Sequence, residues 1–313
     1  MRIAVFGAGG AGGYFGGRLA QAGEDVTFIA RGEHLRAIRE HGLRVESVKG
    51  DFEIKPAQAT DDPEDVGEVD VVLVGVKAWQ VEEAAQEMRP LVGPDSCVLP
   101  LQNGVEAPAR FEEVFGPGRV VGGVARIFSS IAGPGLIRHV GGPASVEFGE
   151  LDNKPSERTG RLREAFIGAN VTADISADIH VALWEKFIFI APFGGLGAVT
   201  RAPIGTLRNV PETRQMLERG MSEILHVARS REIPLSDDVI ARTIAFVDSQ
   251  TPSGTASMQR DIIAGRPSEL EAWNGAVVRL GRQADVPTPL HEFLYHSLLP
   301  LELKARGRLQ FPA

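Results

Sequence analysis

Apolar and polar positions follow two rhythms along this chain. In the first half, short apolar runs of strand length alternate with segments whose apolar residues recur every three to four positions. Residues 3–6, 26–30, 69–75 and 97–101 are the runs. The run 69–75 (Val-Asp-Val-Val-Leu-Val-Gly) is apolar almost throughout, as in a strand covered on both faces. Between the runs, 12–22, 34–41 and 81–88 read as helices, stopped by Gly23, Gly42 and Pro90. Residues 43–48 and 51–55 read as a two-stranded excursion turning at Gly50. Further strands are expected at 120–130, 135–140 and 144–149, and one more helix at 158–168. Such alternation predicts an α/β fold with a mostly parallel, doubly wound sheet.

The rhythm changes after residue 150. The stretch 151–157 is polar and carries Pro155. From Asp178 the apolar spacing is helical. Ser176 or Asp178 can cap a long apolar helix running to Ile190, disturbed at Pro192 and Gly194-Gly195. Helices are also expected at 212–229, 237–249, 268–283 and 290–306, with no strand in this half. The expectation is a Rossmann domain over 1–172 and an all-helical domain over 173–313.

Composition narrows the classes. At 313 residues, 43% hydrophobic and 24% charged, the chain reads as globular. A net charge of −8 argues against nucleic acid and anionic membranes as partners. No stretch reads as a membrane span, and the N-terminus reads as a first strand rather than a leader. The single cysteine, Cys97, lies in an apolar run and reads as a buried strand residue. Cytoplasmic residence is the expectation. The histidines show no metal-ligand spacing, and no metal site is expected.

The candidate chemistry begins at the first strand. Gly7-Ala8-Gly9-Gly10-Ala11-Gly12 is G-x-G-x-x-G between a predicted strand and a predicted helix, where it signals dinucleotide binding. Gly7 permits the tight turn, Gly9 lets a pyrophosphate approach the backbone, and Gly12 lets helix and strand pack closely. Where an NAD-type site carries an acid after the second strand, this chain has Arg31, nineteen residues beyond Gly12. A guanidinium suits a 2′-phosphate, so NADP(H) is the expected cofactor. Lys77 and Asn103 follow predicted strands, at carboxyl ends where open α/β sheets bind ligands. Lys186 interrupts an otherwise apolar helix, which is costly unless its charge faces a partner or a cavity. Desolvation there would lower its pKa toward useful acid–base range. Glu269, just after Pro267-Ser268, sits where a carboxylate suits a helix start.

Together these segments resemble the ketopantoate reductase (2-dehydropantoate 2-reductase) family. The matching pieces are GAGGAGG at 7–13, Arg31, VKAWQ at 76–80, LQNGV at 101–105 and GGVARIFSS at 122–130. They continue with LWEKF at 183–187, SMQRDIIAGRPSELEAWNG at 257–275 and PTP at 287–289. The resemblance implies a Rossmann domain followed by a helical one, with a 2-oxo acid bound in the cleft between them, and it makes a homodimer plausible. It also implies roles. Lys186 would protonate the ketone oxygen, and Glu269 would lie near the nicotinamide ribose and support that lysine. Asn103 would touch cofactor and substrate, and Lys77 the ribose end of the cofactor. Ser257 would hold the substrate carboxylate, and Ser129 would contact the nicotinamide through its backbone.

One departure bears on substrate. Where the family carries asparagines that read the hydroxyl end of ketopantoate, this chain has Ile190, Gly194 and Ile204. None of these side chains can hydrogen-bond a hydroxyl. The expected function is NADPH-dependent reduction of a 2-oxo acid, with ketopantoate the first choice for its place in pantothenate and coenzyme A synthesis. The alternatives are a reductase of a more apolar 2-oxo acid and a non-catalytic NADPH sensor. Lys186 and Glu269 together argue against a sensor, which needs neither.

Overall fold

The structure, a computed structural model, describes residues 1–312 and divides into two compact units, Met1–Ala182 and Leu183 onward. The first contains, in order, β1 (Arg2–Phe6), α1 (Gly10–Gln21), β2 (Asp25–Ile29), α2 (Gly32–His41), β3 (Leu43–Ser47), β4 (Phe52–Ile54), β5 (Gln58–Thr60), β6 (Val71–Val74), α3 (Val81–Glu87), β7 (Cys97–Pro100), α4 (Ala107–Phe115), β8 (Val121–Gly133), β9 (Leu136–Glu150), α5 (Glu157–Gly168) and β10 (Thr172–Ile175).

Five strands form one parallel sheet in the order β5-β2-β1-β6-β7. The period-two alternation of β1 explains its central place. Ile3 and Val5 join a core with Phe15 and Phe28, while Ala4 and Phe6 join another with Ala84, Ala85 and Phe111. Both faces are therefore covered, as the near-continuous apolar runs require. The chain order reverses on either side of β1, so the carboxyl edge beside it is the switch point where such sheets bind ligands.

The excursion at β3 and β4 belongs to a second, mixed sheet. Its order is β10-β9-β3-β4, with β8 paired antiparallel to β9. Several expectations are corrected here. The stretches 135–140 and 144–149 form one strand, β9, bent where Gly142 and Ala144 adopt φ of 81° and 49°. β5 is a three-residue polar edge strand, too short to show a period. α4 carries Pro108 in its first turn, where a proline opens a helix rather than breaking it. β10 falls partly in the stretch expected to be helical, and it exists because Thr172–Ile175 pairs in parallel with β9.

The second unit is built from α6 (Ile179–Thr200, whose first turn belongs to the first unit), α7 (Ile204–Asn209), α8 (Pro211–Ser230), α9 (Val239–Ser249), α10 (Ser257–Ile263), α11 (Ala276–Gln283) and α12 (Pro289–Ala305). Asp178 caps α6, its Oδ1 accepting from the amides of His180 and Val181 at 3.0 and 3.2 Å. Ser176 instead bonds Glu147.

α6 runs unbroken through Pro192, contrary to expectation. Packing holds it. Gly220 of α8 leaves room for the proline ring, since a Cβ there would stand 2.7 Å from Pro192 Cβ. The Asn274 amide donates to the carbonyl of Ala191 at 3.2 Å. α6 is also long and apolar enough to cross a membrane, which the sequence reading did not allow for. Its most apolar window is 72% buried within the protein, so packing against neighbours accounts for its composition. α7 and α10 are short helices that local pattern did not reveal. The expected helix at 268–283 instead begins with a π turn, Glu271–Gly275, before α11.

Candidate active site

In the first unit, the expected cofactor residues stand along one edge of the parallel sheet. The turn from β1 to α1 holds Gly7, Ala8 and Gly9, and Gly10, Ala11 and Gly12 form the first turn of α1. Gly7 has φ +95°, and the amides of Gly7 and Ala8 both donate to Ile29 O of β2. A Cβ on Gly12 would lie 2.2 Å from Gly7 O, so close helix–strand contact requires glycine there. Gly10 is needed for another reason: its Cβ would meet the backbone oxygen of Ser129 at 2.7 Å. The long strand β8 thus brings Ser129 against the glycine turn.

Gly9 differs from its neighbours. A Cβ there would touch protein only at Gly75 O, 3.7 Å away. Packing therefore does not demand glycine at this position, whereas a ligand lying on the turn would. α1 has no side-chain cap at its N-terminus and no acidic residue in its first turn. Its leading amides are thus not capped by a side chain and suit an anion. The cradle fits the pyrophosphate of a dinucleotide.

Two residues that stabilise this edge were not singled out in the sequence. Gly75, at the end of β6, packs so tightly that a Cβ would lie 2.6 Å from Gly7 O. His34 accepts the Gly135 amide at Nδ1 (3.0 Å) and so carries its proton on Nε2, which donates to Ala8 O at 2.8 Å. A lone histidine in an amphipathic helix gives no local sign of such a bond.

Lys77 follows β6, half-buried, its amide donating to Gln80 Oε1 at 3.1 Å. Asn103 follows β7 in a loop held by its buried neighbour Gln102, whose Nε2 donates to Val74 O and Val76 O at 3.1 and 3.0 Å. Gln102 thus clamps the β6 and β7 ends together and positions Asn103. Arg31 lies two residues past β2 and immediately precedes α2. Its Nη2 donates to both carboxylate oxygens of Glu87 at 2.6 and 2.5 Å, and Nη1 stands 4.0 Å from Glu83.

The second unit carries the other expected residues. Lys186 is half-buried on α6 among Leu183, Trp184, Phe187 and Ile188, all buried. Ser257 is the first residue of α10. Glu269 is only 4% exposed. These elements meet along the glycines of α6. A Cβ on Gly194 would lie 2.7 Å from the Trp273 ring and 3.1 Å from Met258, the neighbour of Ser257. The Trp273 amide in turn donates to Glu269 O at 3.0 Å.

The segment before Glu269 is held from α12. Both oxygens of the buried Glu302 accept the Ser268 amide at 3.1 Å, and Oε2 also accepts the Ser268 hydroxyl. Arg306, one turn on, donates to Glu302 and to Ser268 O. Glu-x-x-x-Arg near the C-terminus was a local signal, but its target, 34 residues upstream, was not.

Family models decide the affiliation. "Ketopantoate reductase PanE/ApbA" matches residues 3–153, and "Ketopantoate reductase PanE/ApbA C terminal" matches 178–302. A 2-dehydropantoate 2-reductase of Mesorhizobium japonicum is 31% identical over 310 residues, covering 92% of this chain and 94% of its own. The chain belongs to the ketopantoate reductase family. This is a family of NADP-dependent oxidoreductases acting on CH–OH groups. Among solved structures, the PanE/ApbA family ketopantoate reductase of Ralstonia eutropha superposes with a TM-score of 0.90 at 32% identity, covering 98% of this chain and 100% of its own. A D-mandelate dehydrogenase in ternary structure with NADH and anilino(oxo)acetate gives 0.89 at 27% identity, with coverage of 98% and 100%.

Within this ketopantoate reductase family member, the three departing positions are filled by packing. Ile190 and Ile204 are 9% and 1% exposed, and the ring of Trp273 occupies the space beside Gly194.

Proposed function

We propose that the protein reduces a 2-oxo acid to the 2-hydroxy acid with NADPH, and that 2-dehydropantoate is its substrate. The observation that carries the reading is the glycine cradle, with its open Gly9 and a helix start lacking a side-chain cap, in a chain whose second unit holds Lys186 inside an apolar helix. The bound cofactor would supply hydride to the carbonyl carbon. Gly7, Gly9 and the first amides of α1 would hold its pyrophosphate, Arg31 its 2′-phosphate, and Lys77 and Asn103 its ribose and nicotinamide side. Ser129 would add a backbone contact. Lys186 would give its proton to the carbonyl oxygen as the hydroxyl forms, with Glu269 supporting the ammonium. Ser257 would donate to the substrate carboxylate. A positioned proton donor of this kind contributes about 10²–10⁴-fold to rate.

A second reading is favoured by Ile190, Ile204 and the Gly194–Trp273 contact. These leave no side-chain donor at the positions that read the substrate hydroxyl in relatives, so a more apolar 2-oxo acid would serve. The structural likeness to a D-mandelate dehydrogenase seen with NADH and anilino(oxo)acetate supports this reading.

The deciding experiment compares kcat/KM for 2-dehydropantoate and 3-methyl-2-oxobutanoate with NADPH. A site built to bond a hydroxyl rejects the analogue lacking it by roughly 10⁴-fold. On the first reading a strong preference for 2-dehydropantoate is expected, with backbone groups or other side chains bonding the hydroxyl in place of Ile190, Gly194 and Ile204. Near-equal values would favour the apolar acid, and no NADPH oxidation with any 2-oxo acid would defeat both readings.

A further inference from the structure

Arg31 is met by two acids from a distant part of the chain. Glu87 lies 56 residues on, at the end of α3, and takes Nη2 on both carboxylate oxygens, while Glu83 stands one turn earlier on the same helix. The pairing is open to solvent on the arginine side: the side chains of Arg31 and Glu83 are 60% and 63% exposed, and that of Glu87 33%. NAD-type sites place an acid at the end of the second strand to accept the ribose 2′-hydroxyl. Here a cation, Arg31, follows the second strand, and carboxylates reach it from α3.

Taking Arg31 as the partner of a 2′-phosphate, the reading proposed above, we propose that Glu87, seconded by Glu83, sets how strongly this protein prefers NADPH over NADH. A 2′-phosphate must displace or share the guanidinium that Glu87 holds. It also brings a charge of about −1.5 to −2 to within a few ångströms of two carboxylates. An unphosphorylated ribose meets no such repulsion, and its 2′-hydroxyl can donate to Glu87. The acids therefore lower the NADPH:NADH affinity ratio below what Arg31 alone would give. At about 6 Å in a solvent-like dielectric, removing one such charge is worth roughly three- to tenfold in binding.

The test measures dissociation constants of NADPH and NADH by fluorescence titration for the intact protein, Glu87→Gln and Arg31→Ala. Glu87 is a partly exposed residue at a helix end, and Gln keeps its shape. Glu87→Gln is expected to tighten NADPH about three- to tenfold, to leave NADH unchanged or weaker, and to lose most of its effect at high salt. Arg31→Ala is expected to weaken NADPH roughly ten- to a hundredfold. If Arg31→Ala weakens NADPH but Glu87→Gln leaves the affinity ratio unchanged or lowers it, the role of Glu87 is overturned while that of Arg31 stands. If Arg31→Ala leaves NADPH binding unaltered, both fall together.

Discussion

Gly194 and Trp273 are sterically complementary: a Cβ on the glycine would stand 2.7 Å from Cζ3 of the indole. The ring is 2% exposed, and its neighbour Asn274 bonds the α6 backbone at Ala191. The indole therefore has little freedom to retreat. Gly194→Ala should gain about 1 kcal/mol of helix propensity and lose more through overpacking, about 1–3 kcal/mol. The urea midpoint should fall. Trp273→Phe in the same chain should recover part of the loss. A double-mutant cycle with no coupling would mean that the two residues do not compete for this space.

Lys186→Ala should lower kcat for 2-oxo acid reduction by about 10²–10⁴-fold, with cofactor affinity nearly intact. Lys186→Arg should rescue little, because a guanidinium does not release its proton near neutral pH. Wild-type turnover in the alanine variant would reduce Lys186 to a structural lysine.

His291 makes stability depend on pH. Fully buried, it accepts from Asn274 Nδ2 at Nδ1 (3.0 Å) and donates from Nε2 to Gly220 O (3.1 Å). Burial lowers its pKa from 6.5 to about 4. The unfolded chain then binds the extra proton first. The contribution of His291 is complete above pH 6.5 and is lost as pH falls toward 4. Between pH 7 and pH 5 the loss should be about 2 kcal/mol. Glu223 accepts the backbone amides of Leu290 and His291, and burial raises its carboxyl pKa, so it acts in the opposite sense. Comparing urea unfolding of the protein with that of His291→Gln isolates the histidine. Equal pH dependence in both would refute the assignment.

Glu302 should matter to the shape of the Glu269 segment more than to chemistry. Glu302→Ala strands the Ser268 amide and hydroxyl and removes one of the partners of Arg306. A cost of about 2–3 kcal/mol is expected for these charge-assisted bonds. Glu302→Gln should recover much of it, since an amide oxygen can still accept from Ser268. Unchanged thermal stability in Glu302→Ala would contradict this role.

Four strands of the parallel sheet, β1, β2, β6 and β7, were legible because they are short apolar runs, and α1, α2 and α3 because they carry their own stops; the polar β5 was not. Each signal is local and reads the same before and after folding. The same is true of Gly7, Gly9 and Gly12, whose lack of a side chain is a property of the residue itself. Other features depend on partners far along the chain. β10 is a strand because β9 lies beside it. α6 has room for Pro192 because Gly220 of α8 packs against its ring. Gly10 must be glycine because Ser129 crosses over it. Arg31, which the sequence marked as a phosphate partner, is shared with Glu87 across 56 residues. Periodicity and turn chemistry report what a segment can do alone. Which polar and charged groups it meets is set by packing, and only the tertiary structure decided that.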